Sequence, residues 1–142
     1  MMRTTWLPNK IIITTLFILT STLLLSKKTI AASEWETQSQ PPGLTLHLKS
    51  QQTPVPLNQM HQWEIEVISS QGTPVENADI TVTGGMPEHD HGLATAPRVS
   101  GQPGEGKYLL EGLRFHMPGE WKLDFVIMID NKRYQVEHSF SL

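Results

Sequence analysis

Two short segments carry the side chains best suited to chemistry. The first is Gly84-Gly85-Met86-Pro87-Glu88-His89-Asp90-His91-Gly92, and the second, about two dozen residues on, is Phe115-His116-Met117-Pro118-Gly119. Imidazole nitrogen together with thioether sulfur is the donor set expected where soft copper(I), or copper(II) as histidine comes to dominate, must be held without thiolates. The chain contains no cysteine. Zinc fits less well, because its structural sites prefer Cys and His. The candidate ligands are Met86, His89, His91 and Met117, with His116 as the substitute for Met117 or its partner.

Local geometry supports the first segment. Pro87 pushes Met86 into an extended conformation, and in an extended chain His89 and His91 point to the same side. Glu88 and Asp90 then point away, and orient the imidazoles only after a turn; Gly84, Gly85 and Gly92 let the backbone bend at both ends, so the segment reads as a bent loop at the end of a strand. His116 and Met117 are adjacent, so on a regular strand only one of them faces the first segment. The bland alternative is a solvated Gly/Pro loop with Met86 and Met117 plugging gaps in the core. On that reading the domain is a structural or docking module of an envelope complex and binds no metal. An enzyme is not expected, since no Cys exists and no Ser sits in a nucleophile motif.

The elements that must position these residues lie in one domain. Residues 1–32 hold Arg3 and Lys10, then the apolar stretch Ile11–Leu25, then Lys27, Lys28 and small residues. That pattern predicts a signal peptide cut after Ala31 or Ala32, or an uncleaved anchor helix. Either way the body is exported, to the periplasm or cell surface. Lipid attachment through an N-terminal cysteine is excluded. Residues 33–42, ending Gln40-Pro41-Pro42, read as a linker or mobile arm. Residues 43–142 are one domain's worth of chain. Beyond the leader there are seven basic and fourteen acidic residues, a net charge of −7. Such a body argues against nucleic acid as a partner.

Period-two alternation recurs through the domain. It predicts strands over 44–48, 63–69, 78–83, 107–115, 121–129 and 134–142, with a short one near Arg98-Val99-Ser100. Helical periodicity is missing from the body. About seven strands with turn residues between them predict an all-β sandwich, with a small closed barrel as the alternative. Trp63 and Trp121 read as core residues and Trp35 as part of the arm. His47, His61 and His138 read as ordinary surface or hydrogen-bonded residues.

With these residues in view, the chain resembles the YtkA-like family. The match is carried by Gly85-Met86-Pro87-Glu88-His89-Asp90-His91-Gly92, Pro97-Arg98-Val99, Gly106-Lys107-Tyr108 and Gly112-Leu113-Arg114-Phe115-His116-Met117-Pro118-Gly119-Glu120-Trp121, over roughly residues 43–130. More loosely the chain is similar to FixH-type proteins that accompany oxidase assembly, and in architecture to CopC-like copper-resistance domains. The resemblance implies an immunoglobulin-like sandwich, exported or membrane-anchored, that handles copper for delivery or storage. The implied partner is a membrane or periplasmic copper acceptor, such as an oxidase under assembly. The family's motifs fall on Met86, Pro87, His89, His91 and Gly92, and on Phe115, Met117, Pro118, Gly119 and Trp121. His116 lies at a position the resemblance does not mark as functional.

Overall fold

The computed structural model describes residues 33–100 and 104–142; the leader lies outside the described residues. Among the described residues nine strands form in chain order: β1 Glu34–Gln38, β2 Leu44–Ser50, β3 His61–Ser69, β4 Asp79–Met86, β5 His91–Gly92, β6 Arg98–Val99, β7 Lys107–Leu113, β8 Glu120–Ile129 and β9 Lys132–Ser141. They make two antiparallel sheets, ordered β1-β2-β3-β7-β6 and β5-β4-β8-β9. This is the expected sandwich, with short edge strands beyond the seven anticipated. The alternating side chains explain it. Leu44, Leu46 and Leu48 face inward from β2, Trp63, Ile65 and Val67 from β3, and Trp121, Leu123, Phe125 and Ile127 from β8. Each apolar row needs a second row opposite to escape water.

The stretch 33–42 is not a linker. Its first half is β1, paired with β2 from Glu34↔Lys49 to Gln38↔Thr45. Trp35 anchors it by stacking on Trp63, ring centres 4.7 Å apart. Just beyond, Gln40 exchanges two backbone hydrogen bonds with Gln135 of β9, at 2.7 and 2.8 Å. That bridge ties one sheet to the other along this side of the sandwich.

A bulge matters for the second segment. Along β7, Tyr108 and Leu110 are buried, but the next buried residues are Leu113 and Phe115, so the inward phase slips by one. Trp63 pairs with Leu110 while His61 pairs with Leu113, three residues against two. Gly112, at φ +82, absorbs the extra residue. Without that slip Phe115 would point outward and His116 into the core.

Of the histidines read as surface or hydrogen-bonded residues, His61 is hydrogen-bonded, its Nδ1 to the Gln59 carbonyl at 3.1 Å, and both it and His138 lie in the core rather than at the surface. His61 packs on Phe115 with ring centres 5.2 Å apart, and His138 on Trp35 at the same distance. Burial pushes both imidazoles below the ordinary value of 6.5; for His61 the carbonyl of Gln59 opposes this only in part. Unfolding restores both to about 6.5. Below that pH the unfolded chain binds protons that the folded chain refuses. The stability held above about pH 6.5 is therefore lost as pH falls toward the depressed folded values. Urea midpoints at pH 7.5 and pH 5 should show this drop, and a His61→Phe/His138→Phe double variant should flatten it. An equal drop in that variant would place the sensitivity elsewhere.

Candidate metal site

The two segments meet at one end of the sandwich, where β4 ends and β8 begins. Met86 is the last residue of β4 and is 2% exposed. Its methyl lies against Gly119: a Cβ at that glycine would stand 2.7 Å from Met86 Cε. The chain then turns through a short 3₁₀ segment, Pro87–His89, with Asp90 left-handed at φ 52. Pro87 suits the first position of such a turn and Asp90 tolerates the left-handed region. The extended His89-Asp90-His91 of the sequence reading is thus corrected, because Pro87 starts a helical turn and Asp90 closes it. The turn reverses the chain so that His91 pairs back on Met86 and Gly92 on Gly85.

The turn still leaves the imidazoles together. The rings of His89 and His91 lie 6.2 Å apart and nearly parallel, at 17°. The fold then brings in the second segment. The His116 ring stands 6.2 Å from His91, at 77°. It also contacts the edge of Trp121 at 5.3 Å. His116 Nδ1 is buried and has no hydrogen-bond partner. An unpartnered buried polar atom costs about 1–3 kcal/mol; His61 Nε2, His138 Nε2 and Trp63 Nε1 share that state. His116, the least expected of the candidates, is the residue that joins the segments.

Met117 packs half-buried against the core. Its carbonyl accepts the Trp121 Nε1–H at 3.0 Å. Gly119 exchanges backbone hydrogen bonds with Leu142, at 2.9 and 3.0 Å. Before His116, Asn58 N–H donates to the Phe115 carbonyl at 2.6 Å, and Arg114 donates to Asn58 Oδ1 at 3.1 and 2.6 Å. The second segment is therefore pinned on both sides of the histidine. A cleft of about 320 Å³ opens beside Met86 and His91, bordered by Asp90 and Lys122. The Lys122 ammonium turns to Asp124 at 3.1 Å.

With a metal–nitrogen bond of about 2 Å, two imidazoles sharing one ion place their ring centres about 5 Å apart at a tetrahedral angle and about 6 Å apart in a line. The observed spacings, 6.2 Å in both pairs, are longer than the tetrahedral one. Among the described residues, no three His, Asp or Glu side chains stand grouped to hold an ion. The donors present are imidazoles and thioethers, which fit copper better than zinc or a hard cation.

A β-sandwich that gathers histidines and methionines on the connections at one end is the class of domain defined here. The profile of the YtkA-like family matches residues 38–126, and the chain belongs to that family. The matched span includes all five candidate ligands. No curated protein and no solved structure matches the chain.

Proposed function

We propose that this domain is an exported, non-catalytic module that carries copper as cargo between partners of the cell envelope, through His91 and His116 with Met86, Met117 and His89 close by. The observation that carries the reading is the meeting of His91 with His116, whose Nδ1 is buried and unpartnered. Soft donors without thiolate favour copper(I), and the export signal read in residues 1–32 supports a compartment where thiol carriers are not needed. The recipient is a membrane or periplasmic copper acceptor, such as an oxidase under assembly.

Anaerobic titration of the domain with copper(I) against a chromophoric chelator tests this. One-to-one binding is expected, weakened by a factor of about 100 or more in a His91→Ala/His116→Ala double variant, since loss of a supporting group alone costs 10–100-fold. A second reading has its own observation: Met86 already fills the notch at Gly119 as a core residue. If the chelator keeps all the copper and melting is identical with and without the metal, the loop is architectural and the domain a docking module.

A further inference from the structure

The leader joins the sandwich at the end that bears the histidines. Ser33, the first residue after the leader, is held against the β2–β3 loop. Its carbonyl accepts the Ser50 N–H at 2.8 Å, and its hydroxyl oxygen accepts the Thr53 O–H at 2.7 Å. No slack follows, because β1 begins at Glu34, opposite Lys49. Strand register carries this end across the first sheet. Ser50 pairs with Trp63, His61 pairs with Leu113, and Leu57 bridges to Phe115, the neighbour of His116. In the second sheet the same end holds the last residues of β4 and β9, Met86 and Ser141, and the first of β8, Glu120. Ring contacts link the two sides: Trp35 to Trp63 at 4.7 Å, Trp63 to Phe115 at 5.9 Å, Phe115 to Trp121 at 5.0 Å and Trp121 to His116 at 5.3 Å. The large apolar side chains left exposed among the described residues are Leu57, at 41%, and Met60, at 59%, and both lie on the β2–β3 loop at this end. The opposite end carries polar turns at 70–71 and 130–131.

We propose that the leader is retained as a tether and that the histidine-bearing end rests on the membrane the leader enters, with Leu57 and Met60 in contact with lipid. This deepens the proposed function and rests on it for the cargo: the site opens toward the membrane, and the acceptor that takes the copper is a protein embedded there. The reach of the tether is the first reason. From the end of the apolar stretch at Leu25, the chain has eight residues to Ser33, which span at most about 28 Å fully extended. β8 alone has ten residues, about 34 Å of strand. The far end could meet the bilayer only with the tether drawn nearly straight, whereas the near end meets it freely. Charge is the second reason. A body of net charge −7 is not drawn to anionic lipid by its own field. Two apolar side chains are also too little to hold a free domain on a bilayer, where a single acyl chain binds only marginally. The tether therefore supplies the local concentration, and Leu57 and Met60 supply the contact that selects this end.

Because the chain has no cysteine, single cysteines report position without background. The full chain is reconstituted in phosphatidylcholine vesicles with a fluorophore on Gln59→Cys, beside Leu57 and Met60, or on Gln71→Cys, on a far turn. Quenching by spin-labelled headgroups is then measured. With the two ends about 30 Å apart, quenching at position 59 should exceed that at position 71 by about fivefold or more. Adding Leu57→Ser/Met60→Ser should cut the signal at position 59 by at least about twofold. Both side chains are exposed, so the fold is kept. Mass spectrometry of the chain recovered from the cell envelope should find residues 1–32 still attached. A chain that begins at Ala32 or Ser33 would overturn the tether. Equal quenching at the two positions, or more at 71, would overturn the orientation. An unchanged signal in the Leu57→Ser/Met60→Ser variant would overturn lipid contact through those side chains. Copper enters none of these measurements. Failure of the copper titration therefore leaves the orientation standing, and failure here leaves the copper site standing without its direction.

Discussion

Trp121→Ala is expected to bring the domain close to unfolding. The indole is fully buried, packs on Phe115 with ring centres 5.0 Å apart and on His116 at 5.3 Å, and donates a hydrogen bond to the Met117 carbonyl. Removing such a side chain costs about 3–5 kcal/mol, and losing its hydrogen bond about 1 kcal/mol more. A domain of this size has about 5–15 kcal/mol in total. Trp121→Phe separates the two losses. It retains most of the packing and removes only the N–H, so its urea midpoint should lie much nearer the parent than that of Trp121→Ala. Its copper affinity should nevertheless fall by about tenfold, because the carbonyl that fixes the segment beside His116 is released, as with other groups that orient ligands. Equal destabilisation by both substitutions would show that the hydrogen bond, not the packing, dominates.

The same tryptophan shows why so much of the fold was legible. Trp121, Leu123, Phe125 and Ile127 alternate without interruption, and a row of that length on one face has no stable place except inside a sandwich. β1 was missed because its sequence, Glu-Trp-Glu-Thr-Gln, offers one large apolar residue beside a Pro-Pro pair. Its stability comes from a stack on Trp63, a partner no local pattern displays. The burial of His61 and His138 went unread for a different reason. Both fall on the inward phase of their strands, His61 with Trp63 and Ile65, His138 with Val136 and Phe140. The phase is legible in the sequence, whereas the polarity of the residue type points the other way. A histidine in phase with a core row is buried unless something turns it out, and burial then holds it neutral.

In the candidate site, the sequence carried the donors but not their arrangement. The bent loop at the end of β4 is as the glycines imply, but the chain inside it is not extended from His89 to His91. Pro87 and Asp90 account for this: a proline at the first position followed by a residue at ease in the left-handed region favours a closed turn. The proximity of His116 to His91 could not be read at all. It depends on the slip at Gly112, which sets the phase of Phe115 and His116, and on how the two sheets bring β7 and β4 to the same end.

Gly85→Ala should take apart the site while leaving most of the sandwich standing. A Cβ at Gly85 would lie 2.0 Å from the His91 carbonyl oxygen and 3.0 Å from Gly92 Cα. Those are backbone atoms of β5, and a backbone cannot yield as the end of a side chain can. The two-residue β5 must leave β4, and His91 leaves with it. Because β5 is a short edge strand with no buried residue, its detachment should cost only about 1–2 kcal/mol, within the range of ordinary substitutions. Copper affinity should fall by about tenfold or more, because the imidazole that meets His116 has moved. Gly84→Ala is the contrasting case. There the added carbon would meet the Lys122 carbonyl oxygen at 2.4 Å and Leu123 Cδ2 at 2.8 Å, so the damage falls on β4–β8 in the centre of the sheet. Urea unfolding and copper(I) competition on both variants give a two-way readout. Gly84→Ala should lose far more stability than Gly85→Ala, and Gly85→Ala should lose binding out of proportion to its stability. If Gly85→Ala binds copper as the parent does, the ion does not depend on β5, and the ligand role of His91 falls with it.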